Sequence, residues 1–134
     1  MKGGGYVVTK TIATWFGVVL ILVGILGFIP GVTNSDHMLL GIFHVNTAHN
    51  IIHLLSGIIA LWTGMTSAAY AKLYFQIFGV VYALVAILGF VAGTNDVLGF
   101  IANNMADTWL HVVIAVVALF VGFGTKEEEM VKAA

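Results

Sequence analysis

The sequence predicts an all-α integral membrane protein: a four-helix bundle made of two parallel-repeat helical hairpins, with short interfacial helices on the outer side. Three observations carry this reading. Of the 134 residues, 60% are hydrophobic and only 8% are charged, a balance that a small soluble domain does not keep. Four apolar segments are long enough to cross a bilayer, which takes roughly 20 helical residues. The chain also nearly repeats itself halfway along.

Composition narrows the function before any motif is considered. There is no cysteine, so disulfides and thiolate metal sites are excluded. A net charge of −1 leaves no basic patch for nucleic acid, and the partner that the composition implies is the lipid bilayer.

The spans fall at Thr11–Ile29, Ala48–Ala68, Leu73–Ala92 and Asp107–Gly124. Each is read as a helix, because an isolated span in lipid satisfies its backbone amides only internally. The five lysines set the orientation: Lys2 and Lys10 precede the first span, Lys72 joins the second and third, and Lys126 and Lys132 follow the fourth. By the positive-inside rule both termini and the Lys72 turn are cytoplasmic, and 30–47 and 93–106 lie outside. This describes a multi-pass membrane protein with both termini on the cytoplasmic side. "FIPGVTNSD" after the first span lacks a small-x-small cleavage site, so that span is read as retained. Trp15, Trp62, Trp109, Tyr6 and Tyr70 suit interface anchors, and Glu127–Glu129 a solvated helix end.

"FGVVLILVGILGFIPG" at 16–31 matches "FGVVYALVAILGFVAG" at 78–93 with an offset of 62. The second helices match at an offset of 58, which places Asn46 on Asn104, His49 on Asp107 and His53 on His111. The chain reads as one four-span domain, 1–134, with repeats at 11–69 and 73–124. Two spans return the chain to its starting side, so the halves are expected to be parallel repeats about the membrane normal. "HMLLGIF" and "DVLGFIA" are too short to span and are expected to lie as interfacial helices.

"NTAHNIIH" at 46–53 then acquires a location. Its equivalent opens the fourth span, so His49 lies at the outer end of the second. Asn46 and Asn104 suit N-caps, with Asn50 beside the histidines as a supporting polar group. At ~100° per residue His49, His53, Gly57, Ala60 and Gly64 share roughly an 80° sector, as do Asp107, His111, Ala115, Ala118 and Gly122. A-x-x-x-G at the lower end of each stripe permits close helix approach, and both stripes are expected to face the bundle centre.

"HVNTAHNIIHLLSG" followed by "NMADTWLHVVIAVVALFVG" resembles an uncharacterised family of small four-span bacterial membrane proteins, a domain of unknown function. Its pattern includes N-x-x-H-N-x-x-H in the second helix and A-D-x-x-L-H in the fourth. Asn46, His49, Asn50, His53, Asp107 and His111 are the matching positions, and Thr47 stands where the family often has proline. The resemblance implies the fold and the polar positions, and no activity.

Three chemistries fit these residues. In a polar clamp, Asp107 and the histidines hydrogen-bond across helices, at about 0.6 kcal/mol a pair in membranes. In a zinc-like divalent transition-metal site, His49, His53, Asp107 and His111 supply four ligands, with His44 as an additional one. Haem or quinone binding ranks third. His37 reads as solvated, and Phe78 and Tyr82 as packing. No nucleophile lies beside a base and no phosphate loop is present, so no residue is assigned as catalytic and an enzyme is disfavoured. Four unbroken spans without a mid-depth polar group also disfavour a transporter. A binding or accessory membrane protein remains, with helices 1 and 3 offering faces for a homo-oligomer or a larger complex.

Overall fold

The computed structural model describes residues 4–124. Its elements are α1 (Gly4–Leu26), β1 (Met38–Leu39), β2 (Phe43–His44), α2 (Thr47–Thr66), α3 (Ala68–Ala92) and α4 (Met105–Gly124). All four helices are long and apolar enough to cross a membrane. Their exposed residues are large and apolar, including Trp15, Leu55, Ile58, Val91, Val116 and Phe120, which is the surface a lipid-facing bundle presents. Lys2, Lys126, Glu127–Glu129 and Lys132 lie outside the described residues.

Helix α1 stops at Leu26, three residues short of the expected Ile29, because a proline ahead forbids helical continuation and a side chain takes over the end. Thr33 Oγ1 donates to the Leu26 carbonyl at 2.9 Å, and the Gly27 amide still reaches Val23 at 3.1 Å. Between α2 and α3 a single residue serves both helices. The Ser67 amide donates to the Thr63 carbonyl, closing α2, while its hydroxyl accepts from the Tyr70 amide at the start of α3.

The two long connecting segments differ from the expected interfacial helices. Residues 38–44 form a small antiparallel hairpin in which Met38 pairs with His44 and Leu39 with Phe43, and Val97 bridges to Ile101 in the other segment. The cause is backbone handedness. Leu40 and Gly41 have φ of 54° and 70°, and Leu98 and Gly99 have 54° and 82°. Two successive left-handed residues turn the chain back on itself and cannot belong to a right-handed helix.

α1 packs along α2 and α3 along α4, while α3 also touches α1 and α2. Glycines make the pairing close. A Cβ at Gly17 would lie 2.5 Å from the Leu61 amide nitrogen, and one at Gly79 would lie 3.0 Å from that of Leu119. Gly57 and Gly64 press against α1, and Gly122 against α3. The glycines of the small-residue stripes therefore serve contacts inside each hairpin, while the stripe alanines Ala60, Ala115 and Ala118 face the core of the bundle, as expected. Between the hairpins sits a core of Ala13, Ala60, Ala71, Tyr74, Phe75, Ala118 and Val121, with Phe16 edge-on to Tyr74, Phe75 and Tyr82.

Candidate functional site

The end of the bundle that carries the long connections 27–46 and 93–104 is built from helix caps. Asn46 Oδ1 accepts the His49 amide at 2.9 Å, opening α2, and Asn104 Oδ1 accepts the Asp107 amide at 2.9 Å, opening α4. The same side chains join the two halves. Asn46 Nδ2 donates to the Phe100 carbonyl and Asn104 Nδ2 to the Ile42 carbonyl, both at 2.9 Å. Each cap thus uses its oxygen on its own helix and its nitrogen on the opposite loop.

Asp107 continues this scaffold. Its Oδ2 accepts the Asn104 amide at 3.0 Å, completing a reciprocal capping pair with Asn104, and the His44 amide at 3.1 Å, which ties β2 to α4. A carboxylate in the first turn also meets the positive end of the helix dipole. His44 contributes this backbone amide. Asn50 is buried against the Gly27 backbone. His37 is exposed in the hairpin, with φ of 60°.

Beneath the caps, the starts of α2 and α4 bring three imidazoles together. One ring nitrogen each from His49, His53 and His111 lies within 4.8 Å of the other two, and all three residues are buried. Ring centroids are 4.6 Å apart for His49–His53, 5.7 Å for His49–His111 and 6.0 Å for His53–His111. Three histidines this close can hold a metal ion. Asp107 and His44 stand outside this set of nitrogens.

One backbone group fixes the protons of two rings. His49 Nδ1 lies 2.9 Å from the Ala102 carbonyl, which only accepts, so Nδ1 carries the hydrogen. In the neutral ring, His49 Nε2 is then a bare lone pair. It lies 2.8 Å from His53 Nε2, which must be the donor, and His53 Nδ1 is left as an acceptor. Among the described residues that atom is buried without a partner, as are His111 Nδ1 and the Tyr82 hydroxyl. Tyr82 faces His111 with ring centroids 5.9 Å apart, and the Ser56 hydroxyl lies near its oxygen without closing a hydrogen bond.

A family model described as domain of unknown function DUF4383 matches residues 10–124. The chain belongs to this family. No match is found among curated proteins or among solved structures. The DUF4383 match covers all three histidines, both capping asparagines and Asp107, so cluster and scaffold lie within the family's domain.

Several contributors in this DUF4383 chain are silent in the sequence. The Ala102 carbonyl is a backbone atom and leaves no residue signature. Asn103, the neighbour of the expected cap, is buried and donates to the carbonyls of Gly89 at 3.3 Å and Gly93 at 2.9 Å, closing α3. Its Oδ1 accepts from Thr108 Oγ1 at 3.1 Å. The paired asparagines of "ANNMAD" are the one signal of it in the letters. Tyr82 is a packing residue whose hydroxyl stands beside the cluster.

Proposed function

We propose that this protein is a membrane-embedded transition-metal-binding protein whose ligands are the imidazoles of His49, His53 and His111. One observation carries the reading: three buried ring nitrogens from two helices converge, and the first ring is already oriented by a carbonyl. A metal-bound histidine typically donates its other N–H to such a group, which fixes its tautomer and aim. His49 does so through Nδ1 to Ala102 at 2.9 Å, leaving Nε2 for an ion. Imidazole donors suit zinc, copper, iron and nickel, and three protein ligands leave one position open in tetrahedral geometry. The His49–His53 separation of 2.8 Å is shorter than the ~3.3 Å that two nitrogens ~2.0 Å from a tetrahedral ion require, so binding widens it by a small ring rotation and moves the His53 hydrogen from Nε2 to Nδ1.

The polar clamp is the second reading, and the joining of both hairpins by Asn46 and Asn104 favours it. The histidines fit it less well. A clamp is stable when its members are satisfied, and two of the three rings bury an unpartnered nitrogen. The two readings divide the site: Asp107 and the asparagines clamp, and the histidines ligate.

The hairpins are further read as copies, repeats 11–69 and 73–124, with both termini cytoplasmic in a bacterial cytoplasmic membrane. Recurring detail supports the duplication: left-handed Leu40–Gly41 against Leu98–Gly99, and Gly17 on Leu61 against Gly79 on Leu119. Zinc or copper added to chelator-treated protein in detergent tests the main reading. A ligand at a hundredfold excess over Kd stabilises the native state by about 2.7 kcal/mol. The wild type should show this rise and the His49→Ala, His53→Ala double variant should not. Equal responses would leave the clamp alone.

A further inference from the structure

The connection that leaves α1 folds back over the start of α2, and between the two lies an open pocket of about 570 Å³, a size that suits a small-molecule ligand. Its depth follows from where the spans end. α1 stops at Leu26 and α2 starts at Thr47, so the pocket sits just past the apolar stretches, level with lipid headgroups. Phe28, Ile29 and Pro30 make one wall apolar, and all three are exposed. Asn34, Ser35, His37, Thr47 and Asn50 make the rest polar, and no Asp, Glu, Lys or Arg lines it.

Asn50 is the anomaly. Asn46, Asn103 and Asn104, at the same end of the bundle, each use both carboxamide atoms on protein partners. Asn50 is only 3% exposed, yet its side chain makes no hydrogen bond among the described residues. It forfeits hydration without recovering a partner. Its oxygen and nitrogen are not sealed in, since the sealed side-chain atoms that lack a partner among the described residues belong to His53, Tyr82 and His111. The carboxamide fills the space that a Cβ on Gly27 would take, and Gly27 is part of the wall, which puts the Asn50 side chain at the floor of the pocket.

The kind of each free group decides what fits. Asn34 offers its Nδ2 as a donor, because its Oδ1 already accepts the Asp36 and Met38 amides. The Ser35 and Thr47 hydroxyls and the Asn50 carboxamide both donate and accept. A phosphate only accepts, and it brings a charge that no Lys or Arg here would meet. A hydroxyl gives and takes as the wall does, and a ring that carries several of them also has a C–H face for Phe28. We propose that this pocket binds the neutral polyhydroxyl ring of a sugar, borne by a glycolipid headgroup or by a free glycan, with the Asn50 carboxamide bonding its hydroxyls at the floor and Phe28 against its apolar face. The assignment uses neither the histidine cluster nor a metal.

Full-length protein is purified in a phosphocholine detergent, since glucoside and maltoside detergents carry the ligand class themselves, and is placed in phosphatidylcholine nanodiscs. The amide resonances of Gly31 and Thr47 report on the pocket as glucosyl diacylglycerol, maltose or inorganic phosphate is added. Saturable shifts with the glycolipid alone assign the pocket to a headgroup. Saturable shifts with maltose, alone or together with the glycolipid, assign it to the sugar itself. Asn50→Ala should weaken that association about fivefold, the affinity equivalent of one neutral hydrogen bond. Phe28→Ala should weaken it about as much through lost apolar contact, and because Phe28 is 46% exposed it serves as the deciding variant if Asn50→Ala does not fold. Shifts with phosphate and with neither sugar, no saturable shift at all, or undiminished sugar binding in the deciding variant overturns the proposal.

Discussion

His49 and His53 face each other Nε2 to Nε2 at 2.8 Å, sharing one proton whose direction the Ala102 carbonyl dictates. A metal ion must take both Nε2 lone pairs, which moves the His53 hydrogen to Nδ1, and protonation of either ring to imidazolium competes with the ion. Free histidine titrates near pH 6.5, and ligation needs the neutral ring. Stabilisation by zinc should therefore be full while the buried rings are neutral and decline once they protonate, by about tenfold in affinity per pH unit for each ligand protonated. Isothermal titration carried down to acid that protonates the rings measures the slope, and an affinity unchanged by that protonation would remove the imidazoles as ligands.

Asp107 should behave as a clamp. Asp107→Ala strands the half-buried Asn104 and His44 amides, at no more than about 1–3 kcal/mol for each. The expected result is a clear drop in Tm with zinc affinity within a few-fold of wild type. A loss of zinc binding in Asp107→Asn, which keeps an acceptor oxygen, would instead make the carboxylate a ligand.

The capping asparagines should report the joining of the hairpins. Asn46→Ala and Asn104→Ala each remove a cap bond and a bond to the opposite loop, so each should cost about 0.5–2 kcal/mol or somewhat more. Asn46→Asp and Asn104→Asp keep the cap oxygen and lose the crossing donor, and should recover only part of the loss. Complete recovery in these two aspartate variants, measured by thermal unfolding in detergent, would show that the crossing bonds contribute nothing.

How much of this is legible in the sequence depends on the physics each feature rests on. Span positions follow from apolar length, so four helices can be read directly, and His53 can be aligned with His111 from the near-repeat. The loops cannot. "HMLLGIF" reads as amphipathic helix because nothing in the letters says that Leu40 takes φ of 54° beside Gly41 at 70°. Spacing groups Asp107 with the histidines because it gives only the helix face, whereas the hydrogen bonds of Asp107 depend on where the hairpin carries the His44 amide. The same spacing shows the stripes to be small but not which helix they meet, since one side of a helix can press on α1 and hold the cluster further along.

Glycine substitutions test the packing. Gly17→Ala drives a methyl into backbone, 2.5 Å from the Leu61 amide nitrogen and 2.7 Å from the Gly57 carbonyl. Gly79→Ala meets the Leu119 side chain at 2.9 Å and its amide nitrogen at 3.0 Å, where some relief is possible. Gly17→Ala should cost more, in the ~1–3 kcal/mol range of overpacking or above, and Gly124→Ala, with its nearest contact at 3.5 Å, should be tolerated. The reverse order in a thermal-shift series would mean that the α1–α2 contact is looser than described.

Orientation follows from single cysteines. Ser35 and Asn95 are exposed at the end that carries the long connections, and the chain has no native cysteine. Each replacement should react with an impermeant maleimide in intact cells. Labelling only after permeabilisation would invert the protein in the membrane.

The crossing bonds of Asn46 and Asn104 impose an order on biogenesis. Asn46 emerges from the ribosome 54 residues before Phe100, whose carbonyl its amide needs, and the Ile42 carbonyl waits 62 residues for Asn104. The first hairpin can insert and pair α1 with α2 on its own, but its end with the long connection stays unlatched until most of the second has been translated. Both latches then close together, which makes the histidine cluster one of the last parts of the nascent chain to take shape.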